Sequence, residues 1–234
     1  MHPGENQKIN SSKATKLIAC EVFRDELTHL GVRQADCTYL EQSLHRYPDE
    51  LNQRLIQNIR RIEAESSPRR IILVYGYCGG GLKNISTKQA DLFIARVHDC
   101  IPLFIGHEPD RIGPHGKGTF FLSRGWIKHG KTPFTEYNEL KKTYGHEDAF
   151  WSCKELIKMY DSVAFIHTVP NPFSEIKERS EKFAFFFGMQ HLEIQGDFHL
   201  LQLLIRCQPH ENIIRIKPGY RISKQDFKVH PPET

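Results

Sequence analysis

The chain has 234 residues, 39% of them hydrophobic and 26% charged, and a net charge of +4. That length buries a core without disulfide staples, the mild and interspersed charge leaves no nucleic-acid footprint, and no apolar run reaches membrane-spanning length. Residues 1–15 are polar, lack the apolar stretch of a secretion signal and read as a disordered tail, so the cytoplasm is the expected compartment.

Residues 16–19 suit a short strand. Val22, Phe23, Leu27 and Leu30 then recur at helical spacing up to Gly31, a good helix stop. Residues 37–40 suit a second strand. Pro48 fits a helix start, and Leu51, Leu55, Ile56, Ile59 and Ile62 mark the apolar face of the helix that follows. Residues 70–75 form the unbroken apolar run of a buried parallel strand, ending in a glycine-rich loop. Residues 92–95 suit a strand and 100–105 a helix. Residues 107–118 read as a loop, 119–122 and 126–127 as short strand pieces, and 137–144 and 148–160 as helices. Gly118, Thr119, Gly125 and Trp126 suit a lid or wall, against the plainer reading of Trp126 as a core aromatic. Strand 163–166, helix 173–187, strand 192–194, helix 198–205 and strand 213–216 complete the pattern, with Phe183, Phe185, Phe186 and Phe187 on the packed side of their helix.

Alternating strands and helices predict an α/β fold: a mostly parallel, Rossmann-like sheet or sheets flanked by helices. One domain over 16–222 fits. So do two lobes, 16–106 and 145–222, joined by 107–144, with a tail at 223–234.

Six cysteines are present, and in a reducing compartment they are read as thiols or metal ligands before disulfides. Cys20, Cys78 and Cys100 each stand where a predicted strand gives way to a loop or helix. Parallel strands gather their carboxyl ends on one side, where ligands bind, so three thiols distant in sequence can converge there. Their spacings of 58 and 22 residues match no local zinc motif, so fold position carries the case. His98 or His45 supplies a fourth ligand, or the corner stays open for substrate. Zinc and an iron–sulfur cluster both suit three cysteines. The competing reading of each is packing, since cysteine behaves as a small buried hydrophobe. Cys37, Cys153 and Cys207 are assigned to structure.

Around the thiols, Gly76, Gly79, Gly80 and Gly81 leave room for a cofactor beside Cys78 but fit neither a Walker nor a dinucleotide pattern. Arg96 suits a carboxylate or phosphate. Asp99 suits either orienting His98 or capping the next helix. Two other classes compete with a metal enzyme. One is a metallochaperone or accessory cofactor-binding protein without turnover. The other is a metal-independent enzyme with a nucleophilic cysteine lowered in pKa by a helix start.

Several stretches carry a family resemblance: Ala19-Cys20-Glu21, Leu40 to Pro48 (LEQSLHRYP), Tyr75-Gly76-Tyr77-Cys78-Gly79-Gly80-Gly81, Arg96-Val97-His98-Asp99-Cys100, Gly118-Thr119, Gly125-Trp126, Gly196-Asp197 and Pro218-Gly219. On these the chain resembles, over about residues 16–222, the domain-of-unknown-function family numbered 1638. Some members of that family are associated with corrinoid-dependent methyl transfer. The resemblance therefore implies one-carbon metabolism and, as partner, a corrinoid protein or methyltransferase, while charge and hydropathy lead to the expectation of no nucleic acid and no membrane. The chain departs from the pattern at His167-Thr168-Val169-Pro170, where Thr-Gly is expected, and at Arg206-Cys207-Gln208, where Gly-x-Trp is expected.

Overall fold

The computed structural model describes residues 15–106, 117–169 and 175–227. Among them run eight strands: β1 (Thr15–Cys20), β2 (Cys37–Leu40), β3 (Arg70–Val74), β4 (Asp91–Ala95), β5 (Gly118–Ser123), β6 (Tyr160–His167), β7 (Gln190–Gln195) and β8 (Ile213–Ile216). The α-helices are α1 (Arg24–His29), α2 (Pro48–Ser66), α3 (Ile101–Ile105), α4 (Arg124–His129), α5 (Pro133–Leu156), α6 (Glu175–Phe187) and α7 (His199–Ile205). The α/β reading holds, with two mostly parallel sheets flanked by helices, ordered β2-β1-β3-β4-β8 and β5-β6-β7.

The sheets belong to two compact units. The first takes the chain up to Leu40, then Leu44–Cys100 and the residues from His199 on; the second takes Glu41–Ser43 and Ile101–Phe198. These bounds differ from lobes at 16–106 and 145–222. β5 and α4, from the expected linker, belong to the second unit, and β8 returns to the first. Periodicity marks 213–216 as a strand but not its partner. In the fold β8 pairs antiparallel with β4 (Leu92 with Ile216, Ala95 with Ile213) and covers an edge that would otherwise expose its amides.

In the first unit β3 is the central strand, and Ile71, Ile72, Leu73 and Val74 are fully buried. α2 begins at Pro48, where the missing amide costs nothing, and buries Leu51, Leu55, Ile59 and Ile62 along one stripe. Its carboxyl end is tied down by Glu63. That buried carboxylate accepts hydrogen bonds from the amides of Lys88 (2.9 Å), Gln89 (2.8 Å) and Ala90 (3.1 Å), just ahead of β4. The expected tail at 223–234 is in part structure: Lys224–Phe227 forms a 3-10 turn, and Phe227 is buried with its ring 4.5 Å from that of Tyr77. The tails at 1–14 and 228–234 and the loop at 107–116 lie outside the described residues.

In the second unit the expected strand at 126–127 is helical. Ser123 ends β5, and its Oγ accepts the Trp126 amide at 3.4 Å, which caps α4. Trp126 packs against the core of this unit, and Gly118 and Thr119 begin β5, so these residues serve the unit's own packing rather than a lid. The two helical stretches at 137–144 and 148–160 are one element, α5, broken at Gly145 (φ 80°) and ending at Leu156, so that Tyr160 starts β6. On α6, Phe183 and Phe187 are buried, whereas Phe185 is 89% exposed. No helix among the described residues is long and apolar enough to cross a membrane.

Asp36, just before β2, is buried and held by Lys16 Nζ at 2.9 Å and by Arg33 at 2.7 Å (Nε) and 2.6 Å (Nη2). Burial pushes its carboxyl up, but the two cations outweigh burial and leave it below its usual value. A depressed carboxylate contributes stability above its unfolded pKa of about 3.9 and loses that contribution as pH falls through the lower folded value. Asp36→Asn is therefore expected to cost about 1–2 kcal/mol at pH 7, from the loss of charge-assisted hydrogen bonds, and to flatten the loss of stability below pH 4. Urea unfolding across that pH range checks both.

Candidate functional site

The chain runs from β1 outward to β2, then back across β1 to β3 and on to β4. The direction of winding therefore reverses between β1 and β3. In a parallel sheet the loops on either side of such a point diverge and leave a crevice beyond the strand ends. Cys20 is the last residue of β1, and Cys78 follows β3 by four residues. Cys100 follows β4 and precedes α3. All three belong to the first unit, as do His45, Gly76, Gly79, Gly80, Gly81, Arg96, His98 and Asp99.

The loop carrying Cys78 is tightly specified. The amides of Tyr77 and Cys78 donate to the carbonyls of Val97 and His98, both at 2.9 Å, so β3 and β4 stay laced together past their strand ends. At Gly76 a Cβ would stand 2.4 Å from the Asp99 backbone, a contact only glycine allows. On the other side the Asn52 amide of α2 donates to the carbonyls of Gly81 (2.9 Å) and Lys83 (2.7 Å), and a Cβ on Gly81 would meet Leu51 at 2.7 Å. Cys78 itself lies in the left-handed region at φ 46°, followed by Gly79 at 67° and Gly80 at 110°. That conformation costs a non-glycine residue roughly 1–2 kcal/mol, and strain of this kind concentrates at functional positions. The amides of Gly80 and Gly81 donate to Tyr77 and Cys78 carbonyls. With the Tyr77 and Cys78 amides they are committed to backbone, which leaves them no part in a phosphate cradle.

No disulfide links the six cysteines. Cys20 is 8% exposed and Cys78 half-buried. Burial pushes the Cys20 thiol up to about 12; the Val22 amide pulls it back, and the nearby Cys78 sulfur adds to the rise. Burial likewise pushes Cys78 up to about 12, with Asp99 adding to it. Both are therefore neutral thiols at pH 7. Cys100 is half-buried, His45 half-buried in the 3-10 turn Gln42–Arg46, and His98 exposed. Arg96 donates its amide to Asn212 O at 2.8 Å, while its Nε is buried with no hydrogen-bond partner among the described residues. Cys153, one of the three cysteines assigned to structure, is fully buried in the core of the second unit.

Tyr75 was not singled out from sequence. It directly follows β3, is 3% exposed, and its buried Oη has no hydrogen-bond partner among the described residues. One signal was present: a phenol ending an otherwise aliphatic strand.

Cys20, Cys78 and Cys100 do not form a set whose sulfurs all lie within 4.8 Å of one another. Among the described residues that criterion picks out Glu181, His191 and Glu193, in the second unit. There Lys177 Nζ already lies 2.8 Å from Glu193 and 3.6 Å from Glu181, and His167 lies 2.7 Å from Glu193. The lysine ammonium supplies the cation this cluster needs, and an ion-pair network on a half-exposed face accounts for it.

The raised thiol pKa values carry a consequence for reactivity. At pH 8 a thiol of pKa about 12 has a thiolate fraction on the order of a thousandfold below that of an ordinary cysteine, pKa about 8.5. In metal-free protein Cys20 and Cys78 are expected to alkylate more than about tenfold more slowly than glutathione, since the greater nucleophilicity of a high-pKa thiolate offsets part of the deficit, and the rate is expected to rise with pH. Peptide mapping after timed iodoacetamide treatment checks this, and fast labelling of either residue at pH 8 contradicts it.

No curated relative and no solved structure matches the chain. A match to the family described as "Protein of unknown function (DUF1638)" spans residues 39–205. It takes in His45, Cys78, His98 and Cys100, and it starts after Cys20, later than the resemblance noted from residue 16 onward. It covers well over half of the chain, and the protein accordingly belongs to the DUF1638 family of proteins of unknown function.

Proposed function

We propose that the protein binds a metal group through Cys20, Cys78 and Cys100 at the carboxyl edge of its first sheet, and that this group is an iron–sulfur cluster. The observation that carries the reading is the pair of neutral thiols, Cys20 buried and Cys78 half-buried, on the two loops flanking the reversal point between β1 and β3. Burial and the acidic neighbours Glu21 and Asp99 oppose a bare thiolate there. A bound cation reverses that balance, because metal coordination deprotonates a thiol outright. The donor set suits a soft metal.

A cluster is preferred to a single zinc because the three sulfurs do not meet as one set within 4.8 Å of one another. One tetrahedral zinc with bonds of about 2.3 Å holds its sulfurs about 3.8 Å apart, closer than these three are as a set. In a cluster each thiolate holds its own iron, so wider spacing is natural. With three cysteines, such a group offers an open iron for substrate binding or electron transfer. His45, in the turn after β2, and His98, two residues before Cys100, are the candidates to complete or border the site. The high thiol pKa values count against Cys20 or Cys78 as a metal-independent nucleophile. Corrinoid-linked methyl transfer, with a corrinoid protein or methyltransferase as partner, is the setting the family resemblance implies.

Anaerobic purification followed by iron, sulfide and zinc analysis tests the proposal. Iron and acid-labile sulfide are expected in the wild type, and each of Cys20→Ala, Cys78→Ala and Cys100→Ala is expected to lose most of both while Cys153→Ser retains them. One zinc per chain would replace the cluster by a zinc site. Absence of metal, or metal content indifferent to the three substitutions, would sink the proposal.

A further inference from the structure

We propose that Tyr75 is a positioning residue for this site, its hydroxyl donating a hydrogen bond to a sulfur of the bound cluster and so raising the reduction potential. The inference rests on the cluster reading above.

Tyr75 is 97% buried by its 3% exposure, yet Oη finds no hydrogen-bond partner among the described residues. A buried hydroxyl left in that state costs about 1–3 kcal/mol, and phenylalanine would fill the same space without that cost. A partner outside the protein atoms is the direct explanation.

The sheet register says where that partner lies. Ile18 pairs with Leu73 and Ala19 with Val74 across the parallel ladder of β1 and β3. One residue further, Cys20 stands beside Tyr75, and neighbours across a ladder share a face of the sheet. Cys78 follows Tyr75 by three residues in the loop that leaves β3. A phenol titrates at about 10, so its hydroxyl is a donor at neutral pH. Neutral thiols are weak acceptors, whereas thiolates and sulfides are strong ones. The hydroxyl therefore gains its acceptor when the cluster binds. Hydrogen bonds to sulfur favour the more negative, reduced state and are a recognised determinant of cluster potential.

The test is Tyr75→Phe, with three measurements on anaerobically prepared full-length protein: iron and sulfide content, reduction potential by redox titration, and the melting temperature of the metal-free form. Equal iron and sulfide, a potential shifted lower in the variant, and a metal-free melting temperature unchanged or raised are expected. An unchanged potential in a loaded variant overturns the role of Tyr75 and leaves the cluster standing. A wild type without iron and sulfide overturns both. A lower melting temperature in the metal-free variant shows that the hydroxyl already had a partner in the empty protein, which also overturns the role of Tyr75.

Discussion

Two backbone hydrogen bonds, from the Tyr77 and Cys78 amides to the Val97 and His98 carbonyls, extend the β3–β4 ladder beyond the strands themselves. The geometry of the thiol site depends on them. They align the loop after β3 with the loop after β4, and Gly76 lets the two backbones approach to a distance no side chain would permit. They also hold Cys78 in a left-handed conformation that a free loop would leave. The first turns of α2 brace the other side through Asn52 and Leu51. The glycines after Cys78 are thus read as a device for placing a thiol rather than for holding phosphate.

The electrostatics follow from that placement. A sulfur at the end of a buried strand has lost its water, and Glu21 and Asp99 oppose its ionisation. Such a thiol is a poor nucleophile and a good ligand for a soft cation, since the cation supplies the charge that the surroundings withhold. The second unit shows the contrasting case. Its Glu181, His191 and Glu193 are gathered more closely, but Lys177 comes from the same unit and neutralises them.

The two units also differ in how they are stabilised. The first is a mostly parallel sheet whose central strands are aliphatic and buried on both faces, with a charged clasp at Glu63. The second rests on an aromatic cluster in which Phe134, Tyr137, Phe150 and Phe186 meet edge to face or tilted, with ring centres about 5 Å apart; such pairs add about 0.5–1.5 kcal/mol each beyond burial. Residue His167, where the chain departs from the family pattern, is engaged with Glu193 in that unit.

Much of the fold was legible along the chain. The apolar run of β3, the stripe on α2, and the match of residues 37–40 and 213–216 to their strands all follow from local periodicity. The placement of Cys20 and Cys78 at strand ends was legible for the same reason. Local pattern failed where capping or pairing decided: Ser123 turned an apolar pair into helix α4, and β8 chose β4 across more than a hundred residues. Tyr75 was invisible as a site residue because its importance lies in a missing hydrogen bond and in its register beside Cys20. Composition and periodicity determine which segments become strands and helices, because those depend on neighbours three or four residues away. Strand order, register and buried polar groups without partners depend on contacts between distant segments, and only the tertiary structure decides them.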